Sequence, residues 1–288
     1  AAGTATVAGV DATNAAGNVE SKAGTNIVLS DVDAGATTGT VYLEAGDSIT
    51  DGNGDTANVT ANELDAVAAN LVGDANNNIL LNPGDTGFNA LETAVANLTV
   101  TTTAASADIA IDNTKGSTLT VDTVTPSTGQ DATMWIRNDN GVTVSAWTID
   151  GNDNVALLAT AGNVTFPDGG AGVIDTSGNL VTPDISVGTG KVRLEAAAGL
   201  VQDSSATNAL VIAASDLVIK SNTLNNENTG SAVGNFATNQ TVELATLLSG
   251  NLDVDINSAS QQLRVIGANS AGNSADLKIG DVDSDTFA

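Results

Sequence analysis

The chain of 288 residues contains no cysteine and no histidine. Disulfide bonds, thiolate nucleophiles and metal sites built from these two residue types are therefore excluded. Catalysis by a Ser-His-Asp or Cys-His arrangement is excluded for the same reason. Paired carboxylates remain, but with 34 acidic residues chance pairs are inevitable. The sequence therefore predicts a protein that is not an enzyme.

Positive charge is also scarce, with eight Lys and Arg residues against 34 Asp and Glu and a formal net charge of -26. Nucleic acid is not an expected partner, because phosphate binding needs clustered basic side chains. No apolar run approaches the roughly 20 residues of a membrane-spanning helix, so membrane insertion is not expected. The charge instead favours solubility and the binding of divalent cations.

Aromatic residues are few: two Trp, one Tyr and four Phe. Any core must therefore be filled by Val, Leu, Ile and Ala. Thin, regular β layers suit these small side chains, whereas a spherical sandwich of this length would normally contain more ring volume.

Short apolar runs recur about every ten residues, and Gly, Asn, Asp, Ser and Thr clusters separate them. Val41-Tyr42-Leu43, Ile79-Leu80-Leu81 and Leu119-Thr120-Val121 are three of these predicted strands. Two stretches, starting at Leu64 and at Phe88, also have apolar residues at helical spacing. We predict strand or coil for the first of them and leave the second open.

The second half of the chain resembles a diverged copy of the first. Three segments return 145 or 151 residues later: Gly39–Ala45 as Gly190–Ala196, Ala16–Val19 as Ala161–Val164, and Asp108–Asp112 as Asp253–Asn257. Duplicated strand units with polar turns are typical of repeat architectures. We therefore predict an all-β, right-handed parallel β-helix (β-solenoid) with halves at 1–145 and 146–288. Tandem β-sandwiches are the alternative.

Residues 89–103, NALETAVANLTVTTT, and the segment Gly162–Thr165 resemble repeats of giant bacterial surface proteins of the filamentous-haemagglutinin type. This resemblance implies a right-handed parallel β-helix on or outside the cell, and it carries no catalytic residues. The chain begins with Ala rather than Met, which suggests a mature form or a fragment. An extracellular or cell-surface location is the expectation.

Calcium is the cofactor that the sequence predicts. Asp51, Asn53 and Asp55 place oxygen ligands at alternate positions of a Gly-rich loop, as at the start of many calcium loops. Asp281, Asp283 and Asp285 form a second candidate site, and Asp150-Gly151-Asn152-Asp153 a third. Solvated acidic turns are the simpler interpretation of all three. Asn-x-Ser/Thr sequons occur at Asn58, Asn97, Asn163 and Asn239.

The ends of a solenoid expose unpaired strand edges, which natural proteins usually block. Residues 1–10 have uncharged, β-permissive side chains, and lysine, a common edge blocker, is rare in this chain. We therefore expect a structural subunit that forms a filament, sheath or surface layer, as a homo-oligomer or homopolymer. The alternative is an adhesin or carbohydrate-binding module with surface glycans as its partners.

If the acidic loops hold calcium, a chelator will lower the melting temperature, because a cation bound by the native state stabilises it. Thermal denaturation with and without a chelator measures this effect. An unchanged melting temperature would contradict the calcium hypothesis.

Overall fold

A computed structural model of the chain describes residues 3–13, 17–104, 107–125, 132–149, 152–167, 185–187, 189–203, 210–214, 216–224, 241–248, 252–256, 262–266 and 277–279. Over these residues the regular structure is β-strand. The strands are β1 Ala5–Val7, β2 Val10–Asp11, β3 Asn18–Ala23, β4 Ile27–Leu29, β5 Val32–Ala45, β6 Ile49–Asp51, β7 Val59–Ala68, β8 Leu91–Ala94, β9 Asn97–Thr102, β10 Asp108–Asn113, β11 Leu119–Thr125, β12 Thr133–Asn138, β13 Val142–Val144, β14 Asn154–Ala159, β15 Val164–Phe166, β16 Ile185–Ser186, β17 Lys191–Asp203, β18 Leu210–Ala214, β19 Asp216–Leu224, β20 Thr241–Leu248, β21 Leu252–Ile256, β22 Gln262–Ile266 and β23 Leu277–Ile279.

Successive coils of the chain stack in parallel register. Ala5 lies opposite Ile27, and Ile27 lies opposite Ile49, so 22 residues separate one coil from the next. Farther along, Val142 lies opposite Val164 at the same spacing. The pairing confirms the predicted β-solenoid. The alternative of tandem β-sandwiches is wrong, because strands within a sandwich sheet pair antiparallel.

The strands form three walls. Wall 1 contains β3, β5, β7, β9, β11, β13 and β15, paired in that order. Wall 2 starts at β2, passes through the first parts of β5 and β7, and continues through β8, β10, β12, β14, β17, β19, β21 and β23. Wall 3 consists of two separate sheets, one of β1, β4 and β6 near the amino terminus and one of β16, β18, β20 and β22 farther along.

The main core lies between the walls and is built mainly from aliphatic side chains, with Phe166 buried among them. In wall 1, the inward residues Val41, Leu64, Leu98 and Val121 are all fully buried, and the strand register places them one above another. Outward residues alternate with them and are partly exposed. This period of two is the strand alternation expected from the sequence.

Buried asparagines bond neighbouring coils at the corner between walls 1 and 2. The side chain of Asn113 accepts the N–H of Val95 at 2.8 Å and donates to the carbonyl of Val95 at 3.1 Å. It also donates to Oδ1 of Asn138 at 2.8 Å. Asn138 in turn donates to the carbonyls of Ser117 and Gly141. These amides satisfy backbone groups that the turn leaves without sheet partners.

Both stretches with helical spacing are extended. The first lies in β7, where Leu64 and Ala66 face the core, which confirms the prediction for it. The second contains β8 and β9. The prediction of a strand at Ile79–Leu81 is wrong, because these residues lie in turns of a loop outside the stacked coils.

This loop, residues 74–89, is named the strap. Its ends meet in an antiparallel bridge between Asp74 and Asn89, and Asn76 and Asn77 turn the chain with φ of 52° and 51°. Gly73 precedes it with φ of 69°, and a Cβ there would lie 2.1 Å from the carbonyl oxygen of Ala110. The strap accounts for the 37 residues that separate Val72 from its partner Ile109.

The sheet continues without a break across the predicted boundary at residue 145, through the pairs β12–β14 and β13–β15. Two of the three returning segments occupy the same wall as their copies, whereas the strand at Val41 lies in wall 1 and that at Val192 in wall 2. The structural repeat unit is therefore the coil, and the division into duplicated halves stays a prediction.

Replacing Asn113 with Ala should lower the free energy of unfolding by about 2 to 4 kcal/mol, because both polar groups of Val95 and the amide oxygen of Asn138 lose a buried partner. Replacing the exposed Asn18 with Ala is the control, with an expected change within about 0.5 kcal/mol. Urea denaturation followed by circular dichroism measures both. Equal effects would show that the buried asparagines do not join the coils.

Candidate functional site

The first predicted calcium loop follows β6, and its residues are held by hydrogen bonds within the loop. The carboxylate of Asp51 accepts the N–H groups of Asn53 at 2.8 Å and Gly54 at 3.0 Å. It also accepts Nδ2 of the buried Asn58 at 2.7 Å. Asn58 donates to Oδ1 of Asn53 as well. These bonds give Asp51 and Asn53 a structural role, which is that of capping the turn after β6.

Asp55 is exposed at the far side of the loop. Over the described ranges, no group of three or more acidic side chains is arranged to hold a metal ion. The structure therefore brings Asp51 and Asn53 together but adds no further support for calcium, which stays a prediction.

Glu92, in β8 of wall 2, is the nearby acidic residue that the sequence did not single out. Its Oε2 is buried and accepts no hydrogen bond from another residue. Burial raises the pKa of Glu92 to about 7, and the carboxylates of Asp51, Asp112 and Asp55 add to the effect. The β register that would have placed Glu92 beside Asp112 is not visible in the sequence alone.

Asp112 is paired with a cation from the next coil. Nη1 of Arg137 lies 2.5 Å from Oδ1 of Asp112, and Nη2 lies 2.9 Å from Asp139. Burial raises the pKa of Asp112, and the charge and hydrogen bond of Arg137 oppose that rise. Glu92 and Asp112 form a row of acidic side chains on the outer surface of wall 2. Arg137 compensates the negative charge of Asp112 on one side of this row.

The structure gives less information on the other predicted metal ligands. Asp281, Asp283 and Asp285 lie outside the described residues, as do Asp150 and Gly151. Asp153 is buried, and its Oδ1 accepts the N–H of Ala132 at 3.3 Å. Asn152 accepts the hydroxyl of Thr189 at 2.7 Å. Asp153 thus lies inside the fold rather than on a solvated acidic turn.

The sequons differ in their exposure. Asn58 is fully buried and bonded to neighbouring coils, so a glycan on it is incompatible with the folded structure. Asn97 is partly exposed and Asn163 is exposed, whereas Asn239 lies outside the described residues.

The amino-terminal edge of the solenoid is the candidate site for self-association. It consists of β1, β2 and β3, each of which pairs on one side only in the part of the chain that the structure describes. Their inward residues Val7, Val10 and Val19 pack on the main core but remain partly exposed. The edge thus combines open backbone groups with apolar side chains.

Several inward side chains of the first coil are smaller than their partners in the second. Ala5 lies opposite Ile27, and Val7 lies opposite Leu29. In wall 1 the inward Ser21 lies opposite Leu43. The smaller side chains reduce the apolar area that this edge exposes, and no charged side chain points inward over the described part of the coil.

Most of the described aromatic side chains pack against each other rather than face solvent. The rings of Phe88 and Trp135 meet edge to face with centroids 4.6 Å apart, and Trp147 stacks on Phe166 at 5.7 Å. Tyr42, on the outer surface of wall 1, donates its hydroxyl to Glu44 at 3.0 Å and lies under Nζ of Lys22.

The search for a membrane-crossing helix found none in the part of the chain that the structure describes. Comparison of the chain with protein-family models, with curated proteins and with solved structures found no match. The resemblance to proteins of the filamentous-haemagglutinin type therefore stays a prediction, and the proposals for function depend on the physical features of this chain.

Proposed function

We propose that the chain is a structural subunit that associates with copies of itself through the edges of its solenoid, forming a filament, sheath or layer on or outside the cell. It has no catalytic role in this proposal. The observation that carries it is the amino-terminal edge, where three strands have one unpaired side among the described residues and Val7, Val10 and Val19 are partly exposed.

A second copy is the occupant that fits this edge best. The strands of the first coil pair with the second in parallel and without register shifts, so an end coil of another copy would present backbone groups and inward apolar side chains at matching positions. At the other end, β22 and β23 are the last strands of their ladders within the described ranges. Head-to-tail addition would extend the walls in parallel and produce an open filament rather than a closed dimer.

The net charge of -26 opposes association. The Debye length, beyond which salt largely screens such repulsion, is about 8 Å at physiological ionic strength and about 3 Å at 1 M. Association should therefore strengthen as salt is added, and divalent cations should act at lower concentrations. This dependence of association on salt suits a protein whose assembly is controlled by the ionic conditions outside the cell.

A carbohydrate-binding or adhesin function is the second candidate, and Tyr42 is the observation that favours it. Its ring lies on the flat outer surface of wall 1 beside Glu44 and near Asp65, and sugar sites combine a ring with polar side chains that bond hydroxyl groups. Lys22 covers the ring at 5.0 Å from its centroid, so a sugar would have to displace it. Binding to a glycan array without self-association would favour this function over the first.

Replacing both Val7 and Val19 with Lys should weaken self-association about tenfold or more, because buried positive charges at an edge prevent strand addition. Sedimentation velocity over a range of protein and salt concentrations, with electron microscopy of the same samples, measures the effect. Circular dichroism checks that the variant remains folded.

The matched control places the same two charges on the outer surface of wall 1, as Thr99→Lys with Thr143→Lys. This variant should associate at least as strongly as the unaltered protein, since it reduces the net negative charge and leaves the edge intact. The proposal fails if the unaltered protein is monomeric in every salt and calcium condition, or if edge and control variants associate equally.

A further inference from the structure

The strap covers a strip of apolar side chains on the outer surface of wall 2. The strip contains Ala110, Trp135, Ala156 and Leu158, which the register places on consecutive coils or beside one another. Four side chains in or next to the strap pack against it: Ala75, Ile79, Phe88 and Ala90. This second cluster is separate from the main core and buries strand faces that would otherwise be exposed to solvent.

Two polar side chains fasten the strap to coils far away in sequence. Nε1 of Trp135 donates to the carbonyl of Leu81 at 3.1 Å. The guanidinium of Arg193 donates to the carbonyls of Ile79 at 2.9 Å and Leu81 at 3.3 Å, and to Oδ1 of Asn82 at 2.8 Å. Arg193 is buried, and Nε bonds Glu195 at 2.6 Å.

A buried carboxylate lies at the base of the strap. Asp108, at the start of β10, is 2% exposed. Its Oδ2 accepts the backbone N–H of Asn77 at 3.0 Å, and this bond holds the turn at the start of the strap against wall 2. Asp108 is buried because the strap takes the place of water around its carboxylate.

The charges around Asp108 do not compensate for the lost water. From the strap, Asp74 faces it with a like charge, and from β12 its register partner is the uncharged Thr133. Burial raises the pKa of Asp108 to about 6, and the backbone N–H groups that face the carboxylate only partly oppose this rise. Arg193, whose Nε is bonded to Glu195, contacts the strap away from its base, at the carbonyls of Ile79 and Leu81.

We propose that the strap is a clasp that closes more tightly over wall 2 in acid than at neutral pH, and that Asp108 couples its closure to the binding of a proton. At low pH the side chain of Asp108 is a neutral acid, so closing the strap over it removes no water from a charged group. As the pH rises, closure must bury a carboxylate anion beside Asp74. Loosening of the strap exposes the apolar strip around Trp135.

The sign follows from the pKa of Asp108 in the two states. It is about 6 with the strap closed, and renewed hydration of the carboxylate in the open state should return it towards the ordinary value of 3.8. The closed state therefore binds more protons between these two pH values, and closure weakens as the pH rises through them. Between pH 5 and pH 8 the equilibrium constant for closure should fall about tenfold.

Hydrogen exchange of the full chain, followed by NMR at pH 5 to 8, tests the clasp. The reporters are the amides of Asp74, Asn77 and Asn89, which are bonded at the base of the strap. After correction for intrinsic exchange rates, their protection should be about tenfold greater at pH 5 than at pH 8. Amides of β9 in wall 1 serve as references for any pH dependence of the solenoid as a whole.

Three variants make the test specific to Asp108. In Asp108→Asn the protection of the strap amides should no longer depend on pH. Asp74→Asn removes the like charge, so the pH dependence should remain and its midpoint should move lower. Asp31→Asn, at an exposed position, is the matched control and should behave as the unaltered protein.

Arg193→Met should lower the protection of the strap amides at every pH, which establishes that they report on strap opening. The proposal is overturned if the strap amides of the unaltered protein are equally protected at pH 5 and pH 8, or if Asp108→Asn retains the pH dependence. Should Asp108→Asn fail to fold, an unshifted midpoint in Asp74→Asn would be sufficient to reject it.

Discussion

Each coil of this solenoid is held by backbone hydrogen bonds to the next coil, whose paired residues lie 22 residues away near the amino terminus and between 20 and 37 residues away along the rest of the ladders. These bonds fix which side chains point inward, because a shift of one residue would turn every side chain to the opposite face. They also explain the composition. A narrow space between three walls accepts Val, Leu, Ile and Ala in repeating positions, and it leaves little room for aromatic rings.

The same constraint determines where the unusual features lie. Residues beyond those that a coil needs have to leave the stack, as the strap does between Gly73 and Ala90. Trp135 is accommodated outside the main core, beneath that strap. Backbone groups at the corners are satisfied by buried amides such as Asn113 and Asn138. Over the described residues, the strands of the first edge have no partner on their outer side, and this is the physical basis of the proposed self-association.

Much of the fold follows from the sequence, since the alternation around Val41 or Leu119 and the polar turns between strands identify short strands of a solenoid. The contacts of the candidate site are harder to predict from the sequence, because they join residues on distant coils. Nothing near Asp108 signals that Asn77 covers it, and Arg193 is 114 residues from Ile79, to which it donates. The apolar run Ile79–Leu81 predicts a strand, because a loop that packs an apolar side chain against a wall has the same local pattern as a core strand. The pattern of Asp51 and Asn53 does not separate turn capping from calcium binding, because both use the same oxygen-bearing residues.

Disulfide trapping in this cysteine-free chain tests the stacking register most directly. Asp65 and Thr99 are register partners on adjacent coils, so their Cα atoms should lie about 4.8 Å apart, within the range that a disulfide spans. Tyr42 and Thr99 are two coils apart, at about twice that distance. Asp65→Cys with Thr99→Cys should form an intramolecular disulfide on mild oxidation, and Tyr42→Cys with Thr99→Cys should not. Efficient disulfide formation in the second pair, or none in the first, would contradict the solenoid described here.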